Sequence, residues 1–134
     1  MATRTQARES VIGLLYAYDL GNENIAKFSD IILEDKKIRN KQKDFAMNLF
    51  NGTVDKLAIV DEQITEHLKK REIDDVGHVE KAILRLSIYE ILFSDLDKPI
   101  IINEAIELSK KLASDNAPKF INGVLDSINK EDLK

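Results

Sequence analysis

The chain has 134 residues, the size of one domain, and a compact fold of this length buries roughly two-thirds of its unfolded surface. It has no cysteine, which excludes disulfides, thiolate zinc sites and cysteine nucleophiles and fits a reducing interior. Its net charge of -4 argues against a simple non-specific nucleic-acid binder, since phosphate affinity comes largely from concentrated lysine and arginine, and directs attention to where the charges are placed.

In MATRTQARESVIGLLYAYDL the apolar residues Ala7, Val11, Leu14, Leu15 and Tyr18 recur at three- and four-residue steps, predicting a helix between Ala2 and Asp19. Polar residues interrupt it too soon for a signal peptide, and no later segment approaches about 18 unbroken apolar residues, so neither export nor a membrane span is expected. Gly21 and Asn22 stop this helix, a shorter one is predicted from Ile25 to Leu33, and 36–40 reads as a connection. Apolar positions from Phe45 to Leu68 predict helix over Lys41 to Lys70, divided near Asp55.

The segment Val76 to Phe93 is apolar on more than one face and is expected to be the central, buried helix. Pro99 suits a first helical turn, because its missing amide hydrogen would be unpaired there anyway, and predicts a helix to about Ala113. Pro118 repeats the signal, with Asp115 or Asn116 as cap and Phe120, Ile121, Val124, Leu125 and Ile128 turned to the core. About seven helices with short connections and no linker-like stretch predict an all-α bundle forming a single domain over 1–134.

Catalytic or metal chemistry finds no support. His67 and His78, the only histidines, lack a second ligand at a recognised metal spacing, and no glycine-rich phosphate loop or nucleophile elbow is present. No enzyme activity, metal or cofactor is therefore expected. Arg85 and Glu90 fall within the buried helix, where each needs a partner; for Arg85 an inter-helix bridge to a carboxylate such as Glu104 is the expectation. Gly123, inside the last helix, predicts close approach of another backbone, a neighbouring helix before a bound chain.

Three places could touch RNA. Arg4 and Arg8 are four residues apart, so on a helix they project from the same side and could grip phosphates or bases. Asn116, Lys119 and Phe120 combine helix-start amides, a cation and a ring able to stack on an unpaired base, although core packing is the plainer role for the ring. The acid-free run KKIRNKQK could meet phosphate, although such a run is more often a solvated connection.

VEKAILRLSIYEIL, then PIIINEAIELSKKLA, then KFINGVLDSI resemble the C-terminal half of the NusB family in order and spacing, and ARESVIGLLYAYDL resembles its first helix. The resemblance covers essentially the whole chain. It implies an all-α fold of two packed helical halves and a transcription antitermination factor that pairs with ribosomal protein NusE. It further implies that the pair binds single-stranded boxA RNA of nascent ribosomal transcripts, acting on elongating RNA polymerase with other Nus factors in the cytoplasm. Carried onto this sequence, Arg4 and Arg8 match the basic N-terminal positions, Asn116, Lys119 and Phe120 the region beside RNA, and Tyr16 and Glu80 the face meeting NusE. Thr5 and Gln6 stand where richer members continue an arginine run. Two other readings stay open: a NusB-like module assisting ribosomal RNA modification or assembly, and a structural homodimer.

Overall fold

The computed structural model describes residues 1–22 and 24–132. Seven α-helices occur among them: α1 (Arg4–Asp19), α2 (Ile25–Asp35), α3 (Lys41–Asp55), α4 (Leu57–Glu66), α5 (His78–Phe93), α6 (Lys98–Leu112) and α7 (Ala117–Asp126). Short 3-10 turns at Ile73–Asp75 and Lys130–Asp132 complete the order, and no strand occurs among the described residues.

The helices group as expected into two packed halves. In the first, α1, α2 and α3 pack mutually; in the second, α5 is flanked by α4, α6 and α7, and α6 lies along α7. The halves join where α1 and α3 cross α5. That position explains the all-round apolar character of α5: every residue from Lys81 to Ile88 is buried, and Leu84 and Ile88 are completely so. Phe50, Ile64, Ile101, Ile121 and Ile128 bring the remaining segments into the same core cluster.

Local chemistry explains most boundaries. Thr3 and Gln6 form a reciprocal capping box at the start of α1, satisfying two of its otherwise unpaired amides. The division between α3 and α4 falls beside Asp55, at Lys56. Pro99 and Pro118 both sit in first turns, as their fixed φ predicts. Asn116 occupies the N-cap position of α7 but makes no side-chain capping bond, which frees its amide.

The turn after α2 is unusual. The Ile38 amide donates to Leu33 O at 2.8 Å and the Lys37 amide to Glu34 O at 2.9 Å, the two bonds of a Schellman cap, and Ile38 and Leu33 are both buried beneath it. That geometry requires a left-handed residue, normally glycine, yet Lys37 fills it with φ 62°. Asn40, at φ 57° and ψ -127°, also has a positive φ three residues later, but lies outside the left-handed helical region. A side chain in the left-handed region costs about 1 to 2 kcal/mol, so the turn is held by its buried isoleucine rather than by local preference.

Candidate nucleic-acid interface

The N-terminal arginines have opposite fates. Arg4 is exposed, and its guanidinium lies 4.1 Å from the centroid of the Phe45 ring of α3, a cation–π contact that orients the cation without neutralising it. Arg8 departs from expectation. It is 5% exposed, and its Nε and Nη2 donate to both carboxylate oxygens of Glu90, itself 3% exposed, at 3.0 and 2.7 Å. Glu104 adds a second carboxylate 3.6 Å from Arg8, and the Thr5 hydroxyl donates to that Glu104 at 2.8 Å. Arg8 is thus a buried bolt between α1 and α5 rather than a free surface cation. The shared helix face that brought Arg4 and Arg8 together in the sequence is real, but α3 and α5 cover its inner end.

The expected Arg85–Glu104 bridge does not form, because Glu104 is engaged by α1. Arg85 instead donates in a bidentate pair to Asp61 of α4, at 2.9 and 2.8 Å, and to Asp19 at the end of α1, at 3.0 Å. Asp19 also accepts from His78 Nδ1 and lies 3.4 Å from Lys81 Nζ, so one carboxylate ties the end of α1 to the first turns of α5. Burial acts to raise the Asp19 carboxyl, but the His78 hydrogen bond and the charges of Arg85 and Lys81 outweigh it and hold the group below its ordinary range. For Arg85, burial works against the charged form and is overcome by Asp61 and then Asp19.

This junction positions Tyr16. Its ring, 38% exposed, stands edge-on to His78 with centroids 6.1 Å apart. Glu80 lies half-buried in the first turn of α5, where the helix dipole favours a carboxylate, and it curls back over Gly77. The two residues expected to meet a partner protein therefore both lie near the α1–α5 junction.

At the start of α7, Asn116 and Lys119 are exposed and Phe120 is half-buried. Arg71, in the loop after α4, places its guanidinium 3.8 Å from the Phe120 ring centroid. Phe120 therefore both packs on the core and presents an aromatic face, already covered by a cation. Neither Phe45 nor Arg71 was singled out from the sequence; the run Lys69-Lys70-Arg71 was the available signal for Arg71. Gly123 is also corrected: nothing would lie within 4 Å of a Cβ there, so no neighbouring helix approaches it.

An open groove of about 680 Å³ runs along the exposed face of α1, floored by Gln6, Glu9, Gly13 and Tyr16. One wall is the turn carrying Lys36 and Lys37, and the other includes Val79, Lys111 and Leu112. Lys111 pairs with Glu9 at 2.8 Å, stapling α6 to α1. From Leu112 the segment 113–115 leads directly to Asn116, so the groove adjoins the approach to α7.

The sequence matches the NusB family over residues 5–130. The chain belongs to the NusB family. Among its NusB relatives, the transcription antitermination protein NusB of Aliarcobacter butzleri is 72% identical over 128 residues, covering 96% of this chain and 98% of that protein. The NusB of Nitratiruptor is 63% identical over 131 residues, covering 98% and 94%. A solved NusB, in a crystal structure of the antitermination factors NusB and NusE with double-stranded RNA, superposes with TM-score 0.85 at 35% identity, covering 96% of each chain. The seven-helix architecture is thus the NusB fold.

Proposed function

We propose that this chain is a transcription antitermination factor that pairs with the ribosomal protein NusE and binds single-stranded boxA RNA of nascent ribosomal transcripts. The observation carrying the NusE and RNA parts of this reading is the superposition, over 96% of the chain, on a NusB crystallised with NusE and double-stranded RNA; the preference for single-stranded boxA is what the family resemblance adds. The chain acts as a non-catalytic adapter: a single helical unit in the cytoplasm, it presents RNA and partner to elongating RNA polymerase and its other Nus factors.

The surface chemistry fits this role. Arg4, oriented on Phe45, supplies a phosphate contact at the N-terminus, and Asn116, Lys119 and Phe120 supply amide, cation and stacking surface at α7. Arg8 contributes indirectly, holding α1 against α5 so that Arg4 is correctly placed. Tyr16 and Glu80 face NusE. Only a few of these groups are cationic and the chain carries -4 overall, so NusE supplies much of the positive field and RNA binding is cooperative.

Titrating labelled boxA RNA with this protein, with NusE and with their mixture tests the reading. The mixture is expected to bind far more tightly than either component, and the advantage shrinks as salt rises. Equal affinity for the lone protein and the mixture would refute cooperativity, and no discrimination against scrambled RNA would refute boxA recognition.

A further inference from the structure

Arg71 has no role yet beyond that of the cation over Phe120. It lies in the loop between α4 and the 3-10 turn, and that loop is pinned on both sides. Leu68 and Ile73 pack on the core, and His67 Nδ1 donates back to Gln63 O at 2.8 Å. The central carbon of the guanidinium stands 3.8 Å from the centroid of the Phe120 ring. At that separation the group lies flat on the ring, because an edge-on approach would drive a nitrogen into the ring carbons. Phe120 also packs on the core, so little of its ring is left for a second planar group. Arg71 itself is exposed, and the outer face of its guanidinium is open.

This arginine also forgoes the carboxylates within reach of its own loop. Glu72 follows it directly, yet Glu72 and Asp75 are engaged in a reciprocal capping box, and Arg71 has no ion pair among the described residues. Lys69 and Lys70 in the same loop, and Lys119 beside Phe120, are exposed and have no ion pair among the described residues either. Asp115, at the start of α7, pairs with none of the four. A flat guanidinium is thus held open among cations.

We infer that Arg71 is an RNA-contacting residue of the α7 subsite: an unpaired base stacks on the outer face of its guanidinium, and Phe120 is the positioning residue beneath. Guanidinium planes are stacking partners for bases splayed out of single strands, and the same group brings charge and edge donors to the strand. Laying the side chain on the ring in advance removes rotamer freedom that an arginine otherwise loses on binding. An acidic segment of a partner protein is the competing occupant; a charge alone would serve it, whereas a stacked plane suits a base.

This inference rests on the chain being a single-stranded RNA binder, and the test separates the two. Arg71→Ala, Arg71→Lys, Phe120→Leu and the double variant Arg71→Ala/Phe120→Leu are each titrated with boxA RNA at saturating NusE, over roughly 0.05 to 0.5 M KCl. NusE affinity and Tm are measured alongside. Losing one stacked base in Arg71→Ala weakens binding by about 5- to 150-fold, and losing its charge lowers the slope of log K against log salt by about 0.7. Arg71→Lys restores the slope but not the affinity, because an ammonium has charge and no plane. Phe120→Leu weakens binding when Arg71 is present and costs nothing further when it is absent, since leucine merely fails to hold the guanidinium flat. NusE affinity is unchanged throughout, and Tm is nearly unchanged in both single Arg71 variants.

An RNA affinity unchanged or raised in Arg71→Ala, or fully restored in Arg71→Lys, would overturn the platform. So would a cost of Phe120→Leu as large without Arg71 as with it, which would put the base on the ring itself. A fall in NusE affinity in Arg71→Ala would assign the residue to the protein interface instead. Failure of the wild-type mixture to bind RNA would overturn the underlying reading and the platform with it; in each of the other outcomes the wild type binds RNA and only the platform is lost.

Discussion

Replacing Arg8 by alanine separates an RNA contact from a structural bolt. Both members of the Arg8–Glu90 pair are almost completely buried, and the two hydrogen bonds of 3.0 and 2.7 Å satisfy both carboxylate oxygens. Removing the arginine leaves Glu90 charged, desolvated and without this partner, a change that costs about 3 to 5 kcal/mol in comparable buried pairs. Against a total stability of about 5 to 15 kcal/mol this is a large fraction, and at this chain length it lowers Tm by roughly 10 to 25 °C. Urea unfolding followed by circular dichroism measures the loss directly, as a shifted midpoint at similar m. The double replacement Arg8→Met/Glu90→Leu should recover most of it, because no buried charge is then orphaned. A variant Arg8→Ala that melted within about 2 °C of wild type but bound RNA poorly would refute the reasoning, since only a solvent-facing cation behaves in that way.

Three other outcomes follow from the geometry. Phe120→Leu keeps an apolar side chain on the core but removes the aromatic face covered by Arg71, so RNA affinity should fall by about 1 to 3 kcal/mol with little change in Tm; unchanged affinity in filter binding would mean that the ring only packs. Gly123→Ala should stabilise α7 by about 0.5 to 1 kcal/mol, visible as a higher urea midpoint, because a Cβ there meets open space; destabilisation would contradict that placement. The Asp19 carboxyl is depressed on folding, so its contribution is fully present above its ordinary value near 3.8 and is lost as pH falls through the lower folded value. Asp19→Asn should therefore lower Tm at neutral pH and flatten its decline in acid, and an acid profile parallel to wild type would dismiss Asp19 as a contributor.

How far the sequence reading reached can be traced through particular residues. Helical periodicity is a property of neighbours within a few positions, so the α1 stripe, the break near Asp55, the two proline starts and the buried character of α5 were all visible before any coordinates. The NusB-like motifs lie in such segments, which is why the family was legible too. Arg8 was misjudged by the same local logic: spacing gives the face of a helix but not what covers it, and its partner Glu90 lies 82 residues away. The partner chosen for Arg85 failed for the same reason, because Asp19 and Asp61 reach it only when α1 and α4 both close on α5.

What the amino-acid order determines alone is therefore a set of helices, their apolar faces and a family. Tertiary packing decides which charges become internal bolts and which stay at the surface: Arg8 and Arg85 are consumed by carboxylates from distant helices, whereas Arg4 stands on a ring and Lys36 and Lys37 have no ion-pair partner among the described residues. The physical reason is that a charge acquires its role from the dielectric and the opposite charges around it, and those are assembled by long-range contacts rather than by sequence neighbours.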